Sequence, residues 1–193
     1  MILLKIVTPP SGSVISLQDA KAQSRIDHND EDVLLESYIA VATDKAEQLT
    51  GRKLLTQTWD WLLDEFPAGD LLIPLSPLVT IDSIQYYDTA NALQTWSSAN
   101  YQVDAAGMRP RVCPVLNVQW PDTYDRLGAV QVRMTVGYGA ATAVPQAIKH
   151  WITAVVGEAF KNRELTSDRQ RPGETLSSFI NGLLDPYTVP RMQ

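Results

Sequence analysis

Apolar residues recur along this chain with two different periods, and the periods change at identifiable places. Between Asp30 and Gly51, Leu34, Leu35, Tyr38, Ile39, Ala42, Ala46 and Leu49 return every three or four positions, which predicts one amphipathic helix. Asp30, Glu31 and Asp32 put negative charge at its start, and Gly51 can take the positive φ that ends it. From Thr56 the period shortens to two: Trp59, Trp61 and Leu63 fall on one face, Thr58 and Asp60 on the other. A shorter helix is expected from Ser16-Leu17-Gln18-Asp19, a capping arrangement, to about Ile26. A long one is expected from Val144-Pro145, with Val144, Ile148, Trp151, Ile152, Val155, Val156, Ala159 and Phe160 as its apolar face.

Between these helices the chain reads as β-rich. Thr56–Leu63, Leu71–Ile73, Thr80–Tyr87, Tyr101–Val103, Arg111–Cys113 and Ala129–Val136 are predicted strands. Pro67-Ala68-Gly69-Asp70, Pro74 with Pro77, Ala106-Gly107 and Gly137-Tyr138-Gly139 punctuate them. Leu165–Glu174 is polar and aperiodic, a predicted loop, and Thr175 is placed to cap a last short helix through Leu184 that Pro186 stops. Helices with one apolar face must bury it, and the economical solution packs the N- and C-terminal ones together. The expected fold class is therefore α+β. Residues 1–193 form a single domain with helices at about 16–51 and 144–184 in a bundle. A β-rich insertion occupies about 56–140, and a flexible C-terminal segment begins near 164.

Composition narrows the function. With 45% hydrophobic residues and five tryptophans among 193, the chain can build a core. The net charge of −6 argues against gripping nucleic acid through its phosphates. That charge is uneven: −2 over residues 1–55, −5 over 56–143 and +1 over 144–193. An acidic middle suits a wall that repels DNA, and equally an ordinary solvated sheet. Cys113 is the single cysteine, so a disulfide within the chain and a multi-cysteine metal site are excluded, and between Val112 and Pro114 it reads as a small buried hydrophobe. The stretch Met1–Val7 is too short for a signal peptide or a membrane span, which points to a cytoplasmic origin.

No catalytic pattern emerges, and no enzyme activity, metal or cofactor is expected. His28 and His150 belong to no ligand motif, and Asp27, Asn29 and Asp30 lack the glycine and distal glutamate of an EF-hand. A Gly-x-Ser-x-Gly elbow is absent. Gly137-Tyr138-Gly139-Ala140 outwardly resembles a phosphate loop, but no third glycine or Lys-Ser/Thr follows, so a strand ending in a turn is the simpler reading. Asp64 and Glu65 are adjacent, and on a strand they would point to opposite faces. Trp96 and Trp120 lie near turns, with Trp120-Pro121 the more exposed, which leaves open a small β-rich module that binds carbohydrate or peptide.

Four separated stretches resemble the head–tail connector (adaptor) proteins of tailed bacteriophages and prophages. They are Ala46–Arg52 with Gln57-Thr58-Trp59, Leu72–Leu78 running into Ile81–Asp88, Val136–Gly139 with Val144–Lys149 and Asn162-Arg163-Glu164, and Leu183–Tyr187. The resemblance implies a structural virion protein of the neck, assembled in the bacterial cytoplasm without a membrane. It would form a ring, typically of twelve copies, docked under the portal protein. Such a ring extends the DNA channel, through which DNA passes without specific binding, and receives the next neck or tail-completion protein. On this footing Arg163, Arg169, Arg171, Pro186, Tyr187 and Arg191 are candidate portal contacts, because they form a positive, proline-bearing end on an acidic protein. Asp60, Asp64 and Asp70 are candidates for facing the channel or the next neck component.

Overall fold

Ser16 opens the first helix with its own side chain. Its Oγ accepts the Asp19 backbone N–H at 3.0 Å, while Asp19 Oδ2 accepts the Ser16 N–H at 3.3 Å. This reciprocal box satisfies two amides that the first turn leaves without helical partners. Helix α1 runs Leu17–Ser24 and stops at Arg25, which takes φ 56°. The structure is a computed structural model and describes residues 3–161, 180 and 182–190.

Helix α2 spans Asp32–Thr50 and closes at Gly51, whose φ is 67° and whose N–H donates to Glu47 O. A side chain is disfavoured there by the left-handed backbone; Val189 Cβ, 3.5 Å from where a Cβ would stand, is at ordinary contact distance. The buried face consists of Leu35, Ile39, Ala42, Ala46 and Thr50. The predicted stripe ended at Leu49, which is exposed. At 3.6 residues per turn the buried line drifts one position onward, and Thr50 is accommodated because its Oγ1 donates to Ala46 O at 2.7 Å. Helix α3, Gln146–Lys161, buries Ile148, Trp151, Ile152 and Val156. The three helices contact one another. They lie in one compact unit, built from residues 12–55 and from the described residues beyond 138. The predicted loop Leu165–Glu174 and the start of the helix expected from Thr175 lie outside the described residues.

The second compact unit takes the N-terminal strand together with residues 56–138. Its strands are β1 (Leu3–Thr8), β2 (Gln57–Leu63), β3 (Leu71–Leu72), β4 (Leu78–Tyr87), β5 (Leu93–Trp96), β6 (Tyr101–Asp104), β7 (Arg111–Pro114) and β8 (Val130–Val136). Five form an antiparallel sheet in the order β1-β2-β8-β4-β5, and three form a smaller sheet, β3-β7-β6. The six predicted strands are present with boundaries shifted by two residues or less. The class is α+β. Two strands, β1 and β5, were not foreseen.

Trp59, Trp61 and Leu63 do share a face. They pack against a core that includes Ile84, Trp96, Val112, Val130, Val132, Met134 and Val136. Period-two alternation of β8 is complete, with Val130, Val132, Met134 and Val136 buried and Gln131, Arg133 and Thr135 on the other face. Gly137 and Gly139, at φ 118° and 120°, end β8 in a turn, which is what the glycine pair is for.

Candidate functional site

Polar side chains collect on the sheet surface, the three acidic candidates among them. Asp60 lies on β2 directly opposite Arg133 of β8 and beside Lys5 of β1. Its Oδ1 accepts from Arg133 Nε at 2.8 Å, and its Oδ2 from Arg133 Nη2 at 2.9 Å and from Gln131 Nε2 at 2.7 Å. This two-pronged guanidinium–carboxylate contact is the strong form of such a pair. The Arg133 hydrogen bond, more than any other influence, holds the Asp60 carboxyl below its ordinary range, overcoming the opposing effect of burial. Asp60 is only 6% exposed. Its charge is spent inside the sheet surface, where it ties two strands together.

Asp64 accepts the Gly128 backbone N–H at 2.8 Å, and that hydrogen bond lowers its pKa first among several causes. Asp70 sits across from Arg111, at 3.2 Å, and the same guanidinium reaches Asp104 at 3.3 Å. Both partners of the Asp70 pair are well exposed. The three acidic candidates therefore differ: one buried in a ladder, one fastening a loop, one at the surface. Proximity in composition did not place them in one cluster.

Of the portal candidates, Arg163, Arg169, Arg171 and Arg191 lie outside the described residues. Pro186 and Tyr187 belong to a short 3-10 turn, Asp185–Tyr187. The chain there is anchored, which the expectation of a flexible end from about residue 164 did not anticipate. Tyr187 O accepts from Arg52 Nε at 2.7 Å, and Val189 N donates to Thr50 O at 2.8 Å. Leu184 is buried. Pro186 remains exposed and Tyr187 is half-buried.

The aromatic residues turn inward. Trp96, 7% exposed, stacks on Tyr101 with ring centroids 5.4 Å apart and meets Trp120 at 4.6 Å. Trp120 in turn stacks on Phe66 at 4.7 Å, nearly parallel, and its Nε1 donates to Gly69 O at 2.9 Å. A stacking platform must present free ring faces, and these rings use theirs on each other. Beside them an open groove of about 590 Å³ is lined by Phe66, Pro67, Cys113, Val118 and Trp120, with Asp70 at its rim. Cys113 is thus half-buried at the groove, not enclosed as the sequence suggested. His28 and His150 are exposed. Among the described residues no group of three or more His, Cys, Asp or Glu could hold a metal ion, and no helix is long and apolar enough to cross a membrane.

Comparison with known proteins bears on this surface. Residues 14–106 match the family model of phage gp6-like head–tail connector proteins. The likeness is to head–tail connectors. The matched span contains the α2–Gly51–β2 join and the Pro74–Pro77 turn leading into β4, two of the four stretches that carry the sequence resemblance. The later two, at 136–164 and 183–187, fall beyond it. Three solved structures share the fold along nearly the whole chain, each covering 99% of this chain and 97% of the other. One is from the neck of an empty GTA particle computed with C6 symmetry, at 19% identity and TM-score 0.79. Another is from the virion of a native gene transfer agent particle, at 18% and 0.80. A third is from the neck of a native GTA particle computed with C12 symmetry, at 19% and 0.77. Curated proteins gave no match.

Proposed function

We propose that this chain is a structural head–tail connector of a tailed phage or a phage-like particle. Twelve copies form a ring beneath the portal protein, lengthen the DNA channel and receive the next neck or tail-completion protein. The observation that carries the reading is the connector-family match across residues 14–106, supported by a likeness of fold to neck chains over 99% of the chain. On this reading the helices are a bundle that seats the protein in the neck, and the β unit is an elaboration inserted between them. Assembly takes place in the host cytoplasm, and the protein's place is the virion neck.

A ring built of identical subunits needs two different patches on each copy, and the symmetry closes when the last meets the first. The portal contacts are assigned to Arg163, Arg169, Arg171 and Arg191, with the exposed Pro186 and neighbouring Tyr187. The tie between Tyr187 and Arg52 makes deletion of the whole end a poor test, because it would also strip the C-terminus of α2. Replacing the four arginines with glutamate is cleaner. Among the acidic candidates, Asp64 and Asp70 are assigned to the surface past which DNA slides, repelled by like charge. Asp60 has its charge matched by Arg133 and contributes through the fold.

The test is native mass spectrometry of the purified protein, alone and with its cognate portal. A ring of about twelve, or a monomer that assembles only on the portal, is the expected result. A monomer indifferent to the portal overturns the connector reading. It would favour the β-rich binding module, whose sign would be ligand-dependent fluorescence from Trp120 at the groove.

A further inference from the structure

The five-stranded sheet ends in two strands, β1 and β5, whose outer backbone edges have no strand partner among the described residues. Such an edge presents a row of unpaired N–H and C=O groups, and monomeric proteins usually block it with charge, proline or a bulge. Here the blocking is slight. β5, Leu93–Trp96, carries no charge and no proline. β1 carries one charge, Lys5, and its pairing with β2 slips by one residue between Ile6 and Thr8. That irregularity leaves four regular positions, Leu3–Ile6, to match the four of β5. Both edges also expose large apolar side chains: Leu3 at 51%, Ile6 at 41% and Val7 at 40% on β1, and Leu93 at 54% on β5.

The directions of these edges matter. Every neighbouring pair in the sheet is antiparallel and the number of strands is odd, so β1 and β5 run the same way. Rotating a copy about an axis along the strands preserves that direction. The β5 edge of one copy then meets the β1 edge of the next in parallel, and each copy uses both of its edges. A two-fold contact would instead join one edge to itself in antiparallel fashion, β1 to β1 or β5 to β5, and leave the other edge open.

We infer that the subunits of the ring are joined by strand addition, β5 of one copy pairing in parallel with Leu3–Ile6 of the next copy's β1. This rests on the ring reading proposed above and names the surface that builds it. Strand addition supplies main-chain hydrogen bonds for affinity, while Leu3, Ile6 and Leu93 are covered at the seam. No like charges face each other across the seam, which permits the approach: Lys5 is the only charged residue on either strand. A heterologous seam of this kind closes only when every edge has found its partner.

The test uses the full chain in a Cys113→Ser background, with Lys5→Cys and Thr95→Cys together or singly. The protein is treated with a short bis-maleimide, both alone and on the cognate portal. The doubly substituted chain should give a denaturing-gel ladder that climbs from dimer towards the full ring, and each single variant should give none. Leu93→Lys, which adds charge to an already exposed edge position, should lower the assembled fraction ~10-fold or more with the melting temperature unchanged. A ring seen by native mass that yields no ladder, and tolerates Leu93→Lys, overturns the seam and leaves the connector reading standing. A dimer band from either single variant overturns it in favour of a two-fold contact. No oligomer in any condition overturns both readings.

Discussion

The two compact units hold their polar groups in different ways. In the helical unit most of them are short in sequence, the ties of Arg52 to Tyr187 and of Thr50 to Val189 aside. Ser16 caps with Asp19, Thr43 and Thr50 donate to carbonyls four residues back, and Lys53 pairs with Glu47. In the β unit several of them join residues far apart: Asp60 to Arg133, Asp64 to Gly128, Asp70 to Arg111. A local bond can form as its own helix forms, whereas a distant one requires the sheet to be assembled first. Substitutions that look alike on paper should therefore cost more, and act more globally, in the β unit.

The largest effect is expected where a distant contact is also a packing contact. Trp96 closes β5 onto the aromatic group formed with Phe66, Tyr101 and Trp120. Trp96→Ala should lower stability by ~3–5 kcal/mol, the usual range for a large aromatic removed from a core. Urea unfolding followed by circular dichroism would measure it. A loss below ~1 kcal/mol would mean that the ring faces are not engaged as the geometry places them, and would revive a ligand platform.

Next comes Asp60. Asp60→Lys sets a cation against Arg133 on the neighbouring strand, and a loss of ~3 kcal/mol or more is expected for a nearly buried position. The pH dependence has a fixed sign. The folded Asp60 pKa lies below its unfolded value, so the pair's contribution is present above about pH 4, the unfolded range for aspartate, and fades as pH falls through the folded value. Asp60→Asn should flatten that acid limb of stability. An unchanged limb would show that the carboxylate is no better stabilised in the sheet than in the unfolded chain.

A middle-sized effect belongs to the helical unit at the end of α2, where the chain returns from a distant part of the sequence. Gly51 holds a left-handed φ of 67° with Val189 close by. Gly51→Ala should cost about 1–2 kcal/mol, from the left-handed backbone region alone. Ser16→Ala, by contrast, removes a purely local cap worth ~1 kcal/mol. A Gly51→Ala loss well below ~1 kcal/mol would mean that a side chain is held at this φ without strain.

The same contrast accounts for what the sequence made visible. Helix α2 announces itself through spacing and through Gly51, both contained within a few turns, and only the drift from Leu49 to Thr50 needed the structure. The strand β2 was legible because Trp59, Trp61 and Leu63 alternate with polar residues. β1 was not, since an edge strand exposed along both faces has no reason to alternate, and Met1–Val7 reads as one apolar run. β5 was hidden by its hairpin. Asp88 accepts the amides of Ala90 and Ala92, and Asn91 takes the left-handed φ of 60° that a glycine would have advertised. The role of Asp60 depended on Arg133, 73 residues away. Composition registered only its charge.

The smallest expected effect is the most useful for function. Asp70 and Arg111 are exposed, and Arg111 divides its guanidinium between Asp70 and Asp104. A solvent-screened pair of this kind contributes at most about 1 kcal/mol, so Asp70→Lys should leave the melting temperature within a few degrees of the parent. With the fold intact, any change in the assembled particle reports on the surface itself. If the acidic β surface borders the DNA path, reversing this charge should slow genome exit, and the slowing should shrink as salt screens it. Asp60→Lys cannot give that answer, because it would first disturb the sheet. An Asp70→Lys particle that packages, retains and releases DNA like the parent would remove Asp70 from the channel wall and confine the β unit to assembly.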